Sequence, residues 1–322
     1  MEMAKFPLKK ISDRLYRLDY PFAYGLDDLL RVGAGGTAAL VRFVQKWNRL
    51  PRRPKLVMGG GGCTTFCVRD RESKPMMGRN FDYKDAPCLV VRTKPPHGYR
   101  SVGITDLNMM LYGNRSRPSE QNENRLYLAP FCCTDGINEK GLCIAILEIK
   151  AKATRQRRGR TPLTTTAILR AALDTCATVD EVIDLFRDYD LRAALFCDYH
   201  YHVLDADGNS ALLEYVGNEL HVLRDQPYAM NFYFAEGGDN RREMGRTREK
   251  RVQETLRESG GRMDAEEAMR LLDTCKLTYR HRLGHLVTCL WSAVYNCSDA
   301  DLSLCVGMDY SRVYHLSQWD DT

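Results

Sequence analysis

Residues 59–62 are four consecutive glycines, and no other feature constrains the chain as much. Glycine loses more backbone freedom on ordering than any other residue, so the run reads as a joint rather than as helix or strand. It divides the 322 residues into a leader, 1–62, and a body, 63–322. The leader carries two helix-like segments, 27–32 and 37–47. The second places Leu40, Phe43, Val44 and Trp47 at helical spacing. A basic, proline-containing stretch at 49–55 leads into the glycines.

After the joint the apolar period changes from about 3.6 to 2. Segments 63–69 and 76–82 alternate around a polar turn and predict a hairpin. Further strands are expected at 89–93, 99–107, 141–150, 199–204, 211–215, 218–223, 287–296, 302–306 and 313–316. Helices are expected at 164–176 and 179–187, the latter capped by Thr178 with Glu181 as its capping-box partner. Two more are expected at 246–258 and 264–274. Residues 113–125 and 152–160 read as polar and basic loops. Hairpins and helix pairs segregated in this way indicate an α+β chain with two antiparallel sheets and helices outside.

Apolar residues make up 44% and charged residues 28%, which excludes wholesale disorder. Net charge is +5, less than a dedicated nucleic-acid binder usually concentrates. No segment has the roughly 18 apolar residues of a membrane span. The start lacks the apolar core of a secretory signal, and the reading is a cytoplasmic protein. The twelve cysteines contain no CxxC pair, so neither a zinc site nor any other metal or organic cofactor is expected.

Cys63 follows the glycines directly. It is either the first residue of a core strand or a nucleophile whose upstream carbonyl, on Gly62, is sterically open to the thiol. Cleavage of the Gly62–Cys63 bond would give Cys63 a free α-amine. Such an amine titrates near ~7.7–8.0, so it can act as a base at neutral pH without a histidine. Arg79 and Asp82 lie sixteen and nineteen residues beyond. A hairpin would return them beside Cys63, as activating groups or as a strand-end ion pair. Asn138, in Asp-Gly-Ile-Asn-Glu-Lys-Gly-Leu at 135–142, belongs to a tight turn or donates an amide to the site. Asn231 sits between apolar neighbours, where an unpaired amide is costly; it caps a strand or donates to an oxyanion. Arg248 lies in a basic run with Arg246 and Arg251 and reads as a solvated helix face or as a site residue.

Taken in order, Cys63, Gly-Arg-Asn-Phe-Asp at 78–82 and the 135–142 block resemble the choloylglycine hydrolase family of N-terminal-nucleophile hydrolases. That family includes conjugated bile acid hydrolases and penicillin V acylases, with acid ceramidase and N-acylethanolamine acid amidase as relatives. The resemblance implies a four-layer αββα sandwich over 63–322, with 1–62 as a propeptide-like segment. It implies Cys63 as nucleophile and its own amine as base, with Arg79 and Asp82 orienting it. Asn231 would build the oxyanion hole with help from Asn138. Arg248 would be the late arginine, with Arg246 and Arg251 as rivals. The leader departs from the bile acid hydrolases, whose nucleophile follows the initiator methionine, and points to autoproteolysis between Gly62 and Cys63.

The function expected is hydrolysis of a linear, non-peptide amide of a small N-acyl substrate: a bile acid conjugate, a fatty acyl amide or a penicillin-like compound. Acyl transfer on the same fold, or a dormant member with a basic nucleic-acid-binding loop at 150–160, are the alternatives. A papain-like mechanism would need a histidine beside the cysteine; His200 and His202 share a strand face, but no cysteine is placed with them. Loops 84–88, 108–125 and 232–244, with Met109, Met110, Tyr112, Phe232, Tyr233 and Phe234, are expected to shape an apolar acyl pocket. A homo-oligomer is compatible with the sequence.

Overall fold

A computed structural model describes residues 6–47, 61–110, 112, 117–194, 197–241, 245–281 and 284–317. Gly59, Gly60, the basic stretch 49–55 and residues 113–116 lie outside the described residues.

The chain begins with strands β1 (Leu8–Lys10) and β2 (Leu15–Asp19) and helices α1 (Leu26–Val32) and α2 (Thr37–Trp47). Then follow β3 (Gly62–Arg69), β4 (Pro75–Lys84), β5 (Cys88–Thr93), β6 (Ser101–Asp106), a 3-10 helix (Glu123–Phe131), β7 (Asp135–Asn138), β8 (Cys143–Ile149) and β9 (Pro162–Thr164). Helices α3 (Thr165–Thr175) and α4 (Val179–Asp188) lead to β10 (Asp190–Arg192), β11 (Asp198–Leu204), β12 (Ser210–Val216), β13 (Glu219–Arg224) and β14 (Tyr228–Ala229). The chain continues through α5 (Arg246–Ser259), α6 (Ala265–Cys275), β15 (Thr278–Arg280), β16 (Leu286–Asn296), β17 (Asp301–Val306) and β18 (Val313–Ser317). Thr178 caps α4 with the capping box that the sequence predicts.

One sheet runs β1-β2-β5-β6-β7-β8-β11-β12-β13, and the other runs β14-β3-β4-β16-β17-β18 with β15 beside β16. Side-chain alternation sends every strand residue to one of two faces, so each sheet must bury two different surfaces. Three apolar clusters do this. Ile144, Tyr201 and Leu213 of the first sheet pack on Ile168, Leu173 and Phe186 of α3 and α4. Ile104, Ile137 and Leu212 meet Phe81, Trp291 and Tyr295 between the sheets. Phe66, Val68 and Val294 of the second sheet pack on Val252, Leu271 and Leu272 of α5 and α6. Three interfaces make four layers, αββα, as expected.

Two sequence expectations change. Strand β2 lies parallel to β5, so leader residues form the edge of the nine-stranded sheet, and that sheet is not purely antiparallel. Leader residues Leu29, Leu40 and Val44 also join the first apolar cluster. Gly62 is the opening residue of β3, not part of a break, and pairs with Asp82. Its requirement is spatial. A Cβ there would stand 2.9 Å from Asp82 Oδ2, and one on Gly61 would stand 2.3 Å from the Asp82 carbonyl oxygen. The glycines let β4 and its carboxylate close on the backbone just before Cys63.

Candidate active site

The β3–β4 hairpin sets the geometry. Cys63 is opposite Phe81, Thr65 is opposite Arg79, and Gly62 is opposite Asp82. Alternation therefore puts Cys63, Thr65, Arg79 and Phe81 on the inter-sheet face and Asp82 on the face towards α5. The Arg79 guanidinium draws the Cys63 thiol down in pKa, but desolvation is larger and leaves it raised; the Glu148 amide also hydrogen-bonds to the sulfur. The intact chain thus holds a protonated thiol beside a fixed cation. Arg79 is fully buried. It donates from Nε to Asp135 Oδ2 at 3.2 Å and from Nη2 to the Ile146 carbonyl at 2.8 Å. Trp291 Nε1 donates to the same Asp135 oxygen at 3.0 Å and stacks on Phe81 with ring centres 4.2 Å apart.

A second line of contacts holds the nitrogen. The Cys63 N–H donates to Asn231 Oδ1 at 2.6 Å. Arg248 donates from Nη2 to the same oxygen at 3.1 Å and from Nη1 to Asp82 Oδ2 at 2.7 Å. Asp82 is thus linked to the Cys63 nitrogen through Arg248 and Asn231. Burial raises its carboxyl to about 6 although Arg248 lowers it. Of the four arginines of α5, Arg248 alone is buried. Arg246 lies over the Phe232 ring, and Arg251 donates to the Thr274 carbonyl.

Asn231 Nδ2 donates to the Glu148 carbonyl at 2.8 Å. Its oxygen thus accepts from the Cys63 nitrogen and Arg248, while one of its two amide hydrogens goes to Glu148. Asn138 is brought elsewhere. Asp135 and Ile137 face the inter-sheet layer, so Asn138 faces α3. Its amide donates to the Leu173 and Cys176 carbonyls at 3.0 and 2.7 Å, and its oxygen accepts from Lys140 N and Leu142 N. It ties the β7–β8 turn to the end of α3, and no donor remains for the thiol.

Beside Cys63 lies a cavity of about 110 Å³. Leu40 and Val41 of the leader, Leu128 and Phe131 of the 3-10 helix, and Tyr83, Met109, Ile146 and Tyr199 wall it. Of the aromatic and methionine residues expected to shape a pocket, Met109 lines it. Met110 and Tyr112 are core of the first cluster, and Phe232 packs in the third. Tyr233 donates its hydroxyl to Asp198. His202 faces Thr65 and Cys67, at 2.8 and 3.5 Å, rather than Cys63. In the basic loop Arg155 donates to the Ala193 carbonyl and Arg158 pairs with Asp190.

Residues 126–310 match the family model described as acyl-coenzyme A:6-aminopenicillanic acid acyl-transferase, more than half of the chain. The chain belongs to this acyl-transferase family. The fold of this family member is shared with two solved hydrolases. A mutant conjugated bile acid hydrolase from Clostridium perfringens aligns with a TM-score of 0.58 at 12% identity, covering 79% of this chain and 92% of the other. Penicillin V acylase from Agrobacterium tumefaciens aligns with a TM-score of 0.53 at 17% identity, covering 76% and 83%. Both support the N-terminal-nucleophile hydrolase fold expected from the motifs.

Asp135, Trp291 and Glu148 went unassigned in the sequence. Asp135 was masked by its Asp-Gly turn signal. Glu148 had a usable signal, an acid inside an apolar strand. In this acyl-transferase-family chain Glu148 lines the cavity, accepts from the Gly61 N–H and is raised to about 7 from 4.5, chiefly by burial. A raised acid stabilises the fold while protonated, and that stability is lost as pH rises from about 4.5 through about 7. Replacement by neutral glutamine removes this term. We expect Glu148→Gln to be more stable than wild type by about 3 kcal/mol at pH 8 and unchanged at pH 4, read from thermal midpoints across pH. Equal pH dependence in the two proteins would refute it.

Proposed function

We propose that the chain is a cysteine amidase that cleaves itself before Cys63 and then hydrolyses a small linear N-acyl amide. The observation that supports this best is the placement of one cysteine at the hairpin start, with its sulfur beside the buried Arg79 and its nitrogen held by Asn231. In self-cleavage the thiol adds to the Gly62 carbonyl carbon and the peptide C–N bond breaks. The thiol proton passes to the leaving nitrogen. Water then hydrolyses the Gly62 thioester, leaving the Gly62 carboxylate and a free Cys63 amine. That amine, near ~7.7–8.0 when unperturbed, next takes the proton of its own sulfur. The thiolate attacks a substrate acyl carbonyl, the amine product leaves with the proton, and water clears the acyl-enzyme.

Arg79 would stabilise the thiolate, and Asp82, Arg248 and Asn231 would orient the nitrogen. The walls of the cavity are mostly apolar, which suits an apolar acyl group; the structural relatives, a conjugated bile acid hydrolase and a penicillin V acylase, suggest bile acid or penicillin-type amides. Acyl transfer to a second amine is the same chemistry with a different acceptor. Intact-mass measurement combined with a hydrolysis screen tests the proposal. The screen would offer glycine- and taurine-conjugated bile acids, N-acylethanolamines, N-acyl amino acids and penicillin V. The expected result is loss of residues 1–62 from the body and release of amine from at least one substrate class. A chain that stays full length and releases nothing would overturn it.

A further inference from the structure

Asn231 holds the nitrogen of Cys63, and something must hold Asn231. The segment that carries it leaves β14, with Met230 and Phe232 packed in the third apolar cluster. Two buried ionisable residues of the opposite sheet grip it at both ends. His200 of β11 and Glu214 of β12 have no solvent exposure. His200 Nε2 lies 2.7 Å from the Met230 carbonyl oxygen, one residue before Asn231. His200 Nδ1 lies 2.7 Å from Glu214 Oε1. The Glu214 carboxyl also accepts from Phe234 N at 3.1 Å and from Ala235 N at 2.8 Å, just beyond Asn231.

The proton arrangement follows from the partners. A carbonyl oxygen only accepts, so Nε2 carries hydrogen. Nδ1 then shares one further proton with Glu214, as imidazolium and carboxylate or as a neutral imidazole and a carboxylic acid. Either placement keeps every bond. The pair is therefore a clamp spanning residues 230–235, with Asn231 between its jaws. A hydrogen-bonded pair buried this deep costs desolvation and is weak evidence of stabilisation for its own sake.

We propose that His200 and Glu214 are positioning residues for Asn231, and through it for the Cys63 nitrogen as the bond to Gly62 breaks. The inference rests on Cys63 as the nucleophile of self-cleavage. A displacement of a reacting group by about 1 Å can cost about 100-fold in rate. His200→Leu removes both bonds, whereas His200→Gln restores the Nε2 donor to Met230. Glu214→Gln still accepts from the 234–235 amides and can donate to Nδ1.

The test is the rate of Gly62–Cys63 cleavage in full-length chains made by in vitro translation, followed by intact mass, with thermal midpoints measured alongside. The expected result is a 10- to 100-fold slower cleavage for His200→Leu, at roughly the magnitude of such misplacement. His200→Gln and Glu214→Gln should recover to within about threefold. Wild-type rates in His200→Leu overturn the proposal. So does a His200→Gln chain that melts like wild type yet cleaves as slowly as His200→Leu. A wild-type chain that never cleaves instead removes the reading of Cys63, which keeps the two failures apart.

Discussion

A Cys63→Ala chain is expected to stay at its full 322 residues and to show no amide hydrolysis, while Cys67→Ala keeps both activities near wild type. The two cysteines test position, not chemistry. Both lie on the inter-sheet face of β3, four residues apart, with Cys63 opposite Phe81 and Cys67 opposite Met77. Only Cys63 has a guanidinium to oppose the burial that raises its thiol; for Cys67 desolvation acts without such a partner. Cys67 has His202 Nε2 at 3.5 Å, but that nitrogen also faces the Gln226 carbonyl at 2.9 Å, and burial lowers the ring to about 4. A neutral ring with its Nε2 hydrogen committed to a carbonyl cannot take a thiol proton there. Removal of a nucleophile leaves only the catalysis that binding and dipoles supply, so the expected loss is several orders of magnitude. Amine release by Cys63→Ala at the wild-type rate would dismiss Cys63 from the chemistry.

The second large effect is on stability. Asp135→Ala is expected to destabilise the fold by about 3–5 kcal/mol, because a buried charge stripped of its partner is among the costliest single changes. The carboxylate is the counter-ion of the fully buried Arg79 and also the acceptor for the Trp291 indole. Asp135→Asn keeps an acceptor for both and should lose less. Asp28→Ala, which breaks the exposed pair with Arg31, should cost under about 1 kcal/mol. Denaturant midpoints of the three variants read this directly. Equal midpoints for Asp135→Ala and Asp28→Ala would show that Arg79 does not depend on its carboxylate.

The parts of the fold legible in the sequence were those with a strong period or a local cap. Helix α4 announced itself through Thr178 and Glu181, and the β3–β4 hairpin through alternation around a polar turn. Strands β1 and β2 were missed because three and five residues carry too little pattern; they are strands by virtue of a sheet edge supplied by distant residues. Asn138 and Asn231 illustrate the limit at the site. Asn231 sits between apolar neighbours and Asn138 in a polar turn, and sequence alone cannot tell which layer either amide faces. Strand alternation sends one towards α3 and the chain's return after β14 brings the other to Cys63. His200 showed only as one of two histidines on a strand face, and Glu214 as an acid in a strand, since they are joined to each other and to main-chain groups of a remote segment.

The parallel pairing of β2 with β5 bears on the order of events in biogenesis. A scission at residue 62 would convert a tethered strand into a separate subunit, held by strand pairing, apolar packing and the Tyr24 hydroxyl bond to Asp174 at 2.5 Å. Assembly before the cut enjoys the high effective concentration of a covalent tether, and afterwards it does not. Maturation would therefore act as a one-way latch: a chain that has cut itself has already folded, and once unfolded it must find its missing edge in solution.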